Sequence, residues 1–166
     1  DVMSNIEISF VIPVWNEEEN IKPFMNEIKK YLGNKNYELI FVCDPSTDKT
    51  EKILEELAKT DNRVRLILMS RKFGQPMATL AGLKYTLGEC AIILDIDLQD
   101  PPSLIPEMLK WWEKGFEVVL PQRQNRLGEN PIRLLIAKFA YKLIDKFSNL
   151  NMPRNVSDFR LIDRLV

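Results

Sequence analysis

The chain has 166 residues, 45% of them hydrophobic, and its 23 basic and 24 acidic residues leave a net charge of −1. A chain of this length can bury a sizeable core, so we expect one domain over residues 1–166. The balanced charge gives no basic field and argues against a nucleic-acid partner. Histidine is absent, which excludes serine–histidine hydrolase and histidine–zinc chemistry.

Short apolar runs in the first half of the chain predict strands over residues 6–14, 37–43 and 64–69. Helical periodicity predicts helices over residues 18–32, from residue 48 onward, and over residues 75–87. Asp48 is interpreted as the cap of the second helix, with Glu51 three residues later in a loose capping box. Gly88 is expected to end the third helix.

The alternation continues in the second half of the chain. We predict a strand over residues 90–94, a helix over 103–114 that Ser103 caps and Gly115 ends, and a strand over 116–120. Strands separated by helices indicate βαβ units. We therefore expect an α/β fold with a mostly parallel central sheet flanked by helices.

A last helix is predicted over residues 131–149, with Pro131 in its first turn. Its apolar residues form one stripe, and Lys138, Lys142 and Lys146 recur on another face. We interpret it as a helix packed on the sheet. The alternative is a helix at an anionic membrane surface, with its basic side toward the headgroups.

Two acids, Asp95 and Asp97, directly follow the apolar run at residues 90–94. In extended chain, alternate side chains point to the same side. Two carboxylates this close to a core are costly unless a cation lies between them, and hard divalent ions take oxygen ligands. The alternative is a solvated strand end with two ordinary surface acids.

Polar residues follow each predicted strand, and in open α/β sheets the carboxyl ends of the strands form the ligand crevice. We expect one site there, built from residues 15–17, 44–48, 70–74, 95–99 and 122–123. The chain has neither a glycine-rich loop ending in Gly-Lys-Ser or Gly-Lys-Thr nor a Gly-x-Gly-x-x-Gly segment after its first strand. What remains is a nucleotide site in which a divalent ion and Arg123 neutralise a leaving diphosphate.

Five sequence blocks support this interpretation, and they occur in this order: Val11-Ile12-Pro13-Val14-Trp15-Asn16-Glu17-Glu18-Glu19-Asn20, Cys43-Asp44-Pro45-Ser46-Thr47-Asp48, Ser70-Arg71-Lys72-Phe73-Gly74, Asp95-Ile96-Asp97-Leu98-Gln99-Asp100-Pro101-Pro102 and Asp158-Phe159-Arg160-Leu161. Together they resemble the inverting family-two glycosyltransferases. Within that family the resemblance is to dolichol-phosphate mannose synthase and the bacterial polyprenyl-phosphate glycosyltransferases. The chain departs from the usual pattern at Cys43, where an acid is common, and at Pro45, where glycine is common.

The resemblance implies a glycosyltransferase-A fold and a role for each matching residue. Pro13, Trp15 and Glu17 would line the nucleoside pocket, and Asp44 would bind the base or ribose. The diphosphate and its Mg²⁺ or Mn²⁺ ion would be held by Asp95, Asp97, Gln99 and Arg123, with Asp95 also near the ribose. Asp158 is the catalytic candidate at the acceptor, as a base or as a group that orients a phosphate, and Asp97 is the second catalytic candidate.

The resemblance further implies transfer of a sugar, with inversion, from a nucleotide sugar to a polyprenyl phosphate. The alternatives are transfer to a polysaccharide or other glycan, and a nucleotide-binding module without activity. The expected partners are the nucleotide-sugar donor and the lipid-phosphate acceptor. For the full-length protein we also expect the membrane surface, on its cytoplasmic side. A homo-oligomer is left open.

No apolar stretch reaches the length of about 18 residues that indicates a transmembrane helix. Because the chain stops inside an apolar-rich segment at Val166, we expect the natural protein to continue beyond it. Cys43 and Cys90 lie at the ends of apolar runs and are expected as buried free thiols, which favours a reducing compartment.

Overall fold

The computed structural model describes residues 6–121 and 158–166, which belong to one compact unit. The helices and strands of this part are, in chain order, β1 (Ile8–Val14), α1 (Ile21–Leu32), β2 (Tyr37–Cys43), α2 (Thr50–Thr60), β3 (Val64–Leu68), α3 (Gln75–Lys84), β4 (Cys90–Ile93), α4 (Ile105–Glu113), β5 (Val118–Val119) and β6 (Arg160–Asp163). A 3-10 turn, Pro102–Leu104, leads into α4. The helix predicted over residues 131–149 lies outside the described residues.

The strands form one six-stranded sheet in the order β3-β2-β1-β4-β6-β5. β1 pairs in parallel with both β2 and β4, and β2 pairs in parallel with β3. β6 lies antiparallel between β4 and β5. The prediction of an α/β fold with a mostly parallel sheet is confirmed, and the parallel strands place the ends of β1, β2 and β4 side by side at one edge.

The main core lies between the sheet and one layer of helices. Alternate residues of the strands, such as Phe10 on β1 and Phe41 on β2, pack with the apolar stripes of α1, α2 and α4 in a single buried cluster. Cys43 and Cys90 are buried free thiols, as predicted. The intervening residues of β2, Ile40 and Val42, face the other side of the sheet, where they pack with Ala78 of α3.

Helix α3 approaches the sheet closely through a glycine. A Cβ atom at Gly82 would collide with the side chains of Val11 on β1 and Val42 on β2. The absence of a side chain at this position therefore sets the height of α3 above the sheet. That height matters for the site, because α3 begins at the edge where the parallel strands end.

The structure corrects several predicted boundaries. Helix α3 ends at Lys84 and not at residue 87, and Gly88 is not its cap. Gly88 is instead buried where a Cβ would lie 2.6 Å from the backbone nitrogen of Ser9. Ser103 makes no capping hydrogen bond, because the chain enters α4 through a 3-10 turn.

The predicted capping box of α2 is also wrong in detail. Asp48 accepts hydrogen bonds from the backbone N–H of Thr50 and of Glu18, so it joins two loops as well as the helix start. Glu51 does not reach back to the N–H of Asp48, and it accepts from the N–H of Ser46 instead. Asp48 is thus a structural residue, but the cap position of α2 falls on Lys49, which makes no side-chain capping hydrogen bond.

Two strands differ from the predictions. β5 is reduced to Val118–Val119, and in the described sheet it is an edge strand paired with β6. β6 was not predicted at all. It is a four-residue strand in which only Leu161 is fully buried, and its partner β4 lies far away in the sequence.

A buried carboxylate secures the opposite edge of the sheet. Glu38 on β2 accepts hydrogen bonds from the Ser9 hydroxyl at 2.6 Å, the Leu87 N–H at 2.7 Å and the Arg65 guanidinium at 2.7 Å. The Ser9 oxygen in turn accepts from the N–H of Gly88 at 2.8 Å. This network ties the connection between α3 and β4 to the first two strands.

We expect Glu38→Leu to destabilise the fold by about 2–4 kcal/mol, because it removes the acceptor of the buried Ser9 hydroxyl, the closer acceptor of the Leu87 N–H and the carboxylate partner of Arg65. Glu55→Leu, on the exposed side of α2, is the matched control and is expected to change stability by less than about 0.5 kcal/mol. Urea unfolding followed by circular dichroism measures both. Equal midpoints for the two variants would contradict this role of Glu38.

Candidate active site

A cleft opens at the edge where the parallel strands β1, β2 and β4 end. It encloses about 690 Å³, counting the space open to solvent, and is lined by Pro13, Val14, Trp15, Glu17, Asp44, Lys72, Gly74, Gln75, Ala78, Asp95, Ile96 and Asp97. These residues come from four separate parts of the chain. Among the described residues, the structure therefore brings together the nucleoside and diphosphate candidates of the sequence, apart from Gln99.

The loops after β1 and β2 are bound to each other. Asn16 has a φ of 53°, a left-handed conformation that asparagine tolerates better than most residues. Its side-chain oxygen accepts from the N–H of Thr47 at 2.8 Å, and its own N–H donates to the Ser46 hydroxyl at 3.1 Å. The N–H of Glu17 donates to the Thr50 hydroxyl at 2.8 Å. This side of the cleft is thus held in place before any ligand arrives.

Asp44 is 3% exposed and links β2 to the start of α3. One carboxylate oxygen accepts from the N–H of Phe73 at 3.2 Å, and the other accepts from the N–H of Gly74 at 2.8 Å. Gly74 has a φ of 83°, which favours glycine, and it directly precedes α3. Each carboxylate oxygen can accept more than one hydrogen bond, so Asp44 retains acceptor capacity toward the cleft.

Trp15 presents an indole ring that is 44% exposed at the cleft wall. The ammonium of Lys72 lies 2.9 Å from the ring centroid, in a cation–π contact. Lys72 lines the cleft, whereas Arg71 stacks its guanidinium over the Phe73 ring at 4.7 Å and is not among the lining residues. Lys72 is therefore the basic residue of this block that faces the cleft.

The two acids that follow β4 both line the cleft, but their environments differ. Asp95 is half-buried, and burial raises the pKa of its carboxyl, with further contributions from the charges of Asp97, Asp158 and Asp100. Asp97 is exposed, and one of its oxygens accepts from the N–H of Gln99 at 3.1 Å. Gln99 is exposed and is not among the residues that line the cleft.

Asp158 reaches the same site from the chain just before β6. One of its oxygens accepts from the Gln75 amide at 3.1 Å, and the other accepts from the Arg160 guanidinium at 3.1 Å. The same Gln75 nitrogen donates to Asp95 at 2.7 Å. Sequence reasoning missed the contact of Gln75 entirely and gave Arg160 no role of its own. Their only sequence signals were a polar residue at a predicted helix start and a basic residue two positions after an acid.

The charge of the cleft fits a bound divalent cation. Among the described residues that line it are four carboxylates, of Glu17, Asp44, Asp95 and Asp97, and one ammonium, of Lys72. Within residues 6–121 and 158–166 no group of three or more acids, cysteines or histidines is arranged to hold a metal by itself. Two carboxylates suffice when phosphate oxygens of a substrate complete the coordination, as is usual for Mg²⁺. Asp95 and Asp97 suit that arrangement.

Two further predictions concern the basic residues of the second half of the chain and a transmembrane helix. Arg123, the predicted phosphate contact, lies outside the described residues, as do Lys138, Lys142 and Lys146. In the described ranges no helix combines the length and apolar character that crossing a bilayer requires.

Comparison with known proteins finds relatives among named glycosyltransferases. The chain is 40% identical over 164 residues to the protein named uncharacterized glycosyltransferase YkcC of Bacillus subtilis (strain 168). This match covers 98% of this chain and 51% of the relative. It is 39% identical over 163 residues to the bactoprenol glucosyl transferase of Shigella phage SfX, covering 97% of this chain and 53% of the relative. The chain thus spans about half the length of these curated relatives.

The third match is a solved structure of glucosyl-3-phosphoglycerate synthase from Mycobacterium tuberculosis in complex with Mn²⁺, UDP and glucosyl-3-phosphoglycerate. It superposes with a TM-score of 0.63 at 24% identity, covering 99% of this chain and 59% of that one. At this identity the likeness establishes the fold, which is of the glycosyltransferase-A type. The family model for glycosyl transferase family 2 matches residues 9–166. This chain belongs to glycosyl transferase family 2.

Proposed function

We propose that this chain transfers a sugar from a nucleoside diphosphate sugar to a polyprenyl phosphate, with inversion at the anomeric carbon. The observation that carries the proposal is the meeting of Asp95 and Asp158 at one amide, beside a cleft that also holds Asp97. Donor-side and acceptor-side acids of the family pattern are thereby adjacent. The name of the phage relative, a bactoprenol glucosyl transferase, supports a lipid acceptor and glucose as the sugar.

The nucleoside would occupy the part of the cleft walled by Pro13, Trp15, Glu17 and Asp44. An exposed indole offers an aromatic face for a base, and Asp44 offers acceptors for base or ribose donors. Lys72 now covers the Trp15 ring, and a base that stacks there would displace its ammonium toward the diphosphate. The shape and the charges of this part both suit a nucleotide.

The diphosphate would lie beside Asp95 and Asp97, with Mg²⁺ or Mn²⁺ between the carboxylates and the phosphate oxygens. When bound there, the ion supplies charge neutralisation for the leaving diphosphate. Lys72 adds a positive charge on the same side, and we assign Arg123 to the phosphates as well. Gln99 would join the ion only if its side chain turned toward the cleft.

The chemistry is a single displacement. An oxygen of the acceptor phosphate attacks the anomeric carbon, the bond from that carbon to the diphosphate oxygen breaks, and the nucleoside diphosphate leaves with the electron pair. A phosphate monoester, whose second pKa is about 6, is already largely ionised near neutral pH, so Asp158 serves mainly to orient it. Arg160, anchored on Asp158, offers its remaining N–H donors to that phosphate.

Such an acceptor places the reaction at a membrane surface, and we assign it to the cytoplasmic face. The bound lipid would bring its phosphate to Asp158, while the polyprenyl chain stays in the bilayer. Further contacts to lipid and membrane would come from the part of the protein outside the described residues.

Removing one acid should separate metal-dependent from metal-independent nucleotide binding. For Asp97→Asn we expect the Mn²⁺-dependent affinity for UDP or GDP to fall at least about tenfold, because the ion loses a charged ligand. Titration calorimetry with UDP and GDP, with and without Mn²⁺, measures this. Glu56→Gln on α2 is the matched charge control and should bind as the unchanged protein does. Unaltered metal dependence in Asp97→Asn would refute the metal assignment, and failure of both nucleotides to bind the unchanged protein would refute the proposed function.

The reaction itself is tested with UDP-glucose and GDP-mannose as donors and a polyprenyl phosphate as acceptor. We expect a glycosyl phospholipid whose anomeric configuration is opposite to that of the donor, as read by NMR of the product. Chelation with EDTA should abolish transfer, and added Mn²⁺ should restore it. Retention of configuration would exclude the single displacement, and transfer only to a glycan would favour the other acceptor class.

A further inference from the structure

Gln75 is the first residue of α3, and its side chain contacts acids from two distant parts of the chain. Its amide nitrogen lies 2.7 Å from Oδ1 of Asp95 and 3.1 Å from Oδ2 of Asp158. Ionised carboxylates only accept hydrogen bonds, so the NH₂ end of the amide must face them, and its two protons can serve one acid each. A single neutral group thus joins the two carboxylates.

The backbone that carries this amide is held in place by its neighbours in the chain. Gly74, immediately before Gln75, donates its N–H to Asp44 at 2.8 Å, and Phe73 donates to the other Asp44 oxygen. The carbonyl of Gly74 accepts from the N–H of Ala78 at 3.1 Å, which closes the first turn of α3. The backbone at Gln75 is therefore held between a buried acid and a helix packed on the sheet.

The two acids need such a link, because like charges at close range repel each other. Asp158 has Arg160 on its other oxygen, at 3.1 Å, so both of its oxygens have donors and its orientation is set. For Asp95, the amide of Gln75 is the one side-chain donor that we observe among the described residues. Loss of the amide would let the Asp158 carboxylate move away from Asp95.

We propose that Gln75 is a positioning residue, which sets the separation of the donor-side acid Asp95 from the acceptor-side acid Asp158. The proposal rests on the function proposed above. In this role Gln75 keeps the acceptor oxygen aligned with the anomeric carbon. It does not itself hold the nucleotide. Displacement reactions are sensitive to such alignment, and a misplacement of about 1 Å can lower the rate by about a hundredfold.

The first test compares Gln75→Ala with the unchanged protein in transfer from UDP-glucose or GDP-mannose, whichever the protein uses, to a polyprenyl phosphate. We expect kcat to fall by about tenfold to a hundredfold. The affinity for UDP or GDP with Mn²⁺, measured by calorimetry, should stay within about threefold, because the proposed ligands of the ion, Asp95 and Asp97, both remain. Lys84→Ala, exposed on the last turn of the same helix, is the control and should change neither quantity.

The second test shows whether Gln75 acts through Asp158. In an Asp158→Asn background, Gln75→Ala should lower kcat by no more than about threefold, because two residues that act as a unit give non-additive effects. A merely structural defect would instead persist in that background. Gln75→Glu has the same size but places a third carboxylate between the other two, and it should be at least as impaired as Gln75→Ala.

The outcomes separate this inference from the proposed function. If the unchanged protein transfers sugar and Gln75→Ala keeps kcat within about twofold, the inference is overturned and the function stands. Parallel loss of nucleotide affinity, or a full loss of kcat that persists in Asp158→Asn, also overturns it. If the unchanged protein neither transfers sugar nor binds a nucleotide, the proposed function is refuted, and the inference that rests on it is refuted as well.

Discussion

The buried carboxylate of Asp44 is the contact on which the geometry of the cleft depends. Asp44 directly follows β2, and its two carboxylate oxygens accept hydrogen bonds from the N–H groups of Phe73 and Gly74. The backbone N–H of Asp44 donates to the carbonyl of Val14, and this hydrogen bond continues the pairing of β1 with β2. One acid therefore joins two parallel strands to the start of α3, and so determines where Gln75 emerges.

The chemical character of the cleft follows from its unequal charges. The described lining holds more carboxylates than ammonium groups, so a free diphosphate would be repelled. A divalent cation reverses that balance, because it binds oxygen ligands from the protein and from the phosphates together. Arg160 pairs with Asp158 and would give an acceptor phosphate a separate positive partner. Under the proposed function, the site would treat its two phosphate-bearing substrates differently, one through a cation beside Asp95 and Asp97 and the other through the guanidinium of Arg160.

Family membership and the site geometry support each other at different levels. The match over residues 9–166 establishes the family, and the structural likeness establishes the fold. Neither assigns a substrate to this chain. The contacts of Gln75 add that the carboxylates of Asp95 and Asp158 share one amide donor.

The sequence predicted most of what local pattern controls. Continuous apolar runs marked β1 to β4, and the rule for parallel sheets placed Trp15, Asp44, Asp95 and Asp97 at one edge. Cys43, which stands where the family often has an acid, is buried at the end of β2 and is not among the residues that line the cleft. Asp44 is the acid of that block that lines the cleft.

Features that depend on distant partners escaped prediction. β6 forms only because its few residues fit antiparallel between β4 and β5, which no local pattern reveals. The contact of Gln75 likewise needs two acids that are 20 and 83 residues away in the chain. The close approach of buried Gly88 to the backbone of Ser9, beyond the end of α3, is likewise a contact between distant parts of the chain.

The central claim is that Asp95 and Asp97 hold the cation of a nucleoside diphosphate while Gln75 keeps Asp158 for the acceptor. Anomalous diffraction at the manganese edge, on crystals grown with Mn²⁺ and UDP or GDP, tests it most directly. We predict one manganese peak within coordination distance of Asp97 and Asp95 and of the phosphate oxygens, with Asp158 still bonded to Gln75 and outside the coordination shell. A manganese ion ligated by Asp158, or a nucleotide bound away from this cleft, would contradict the claim.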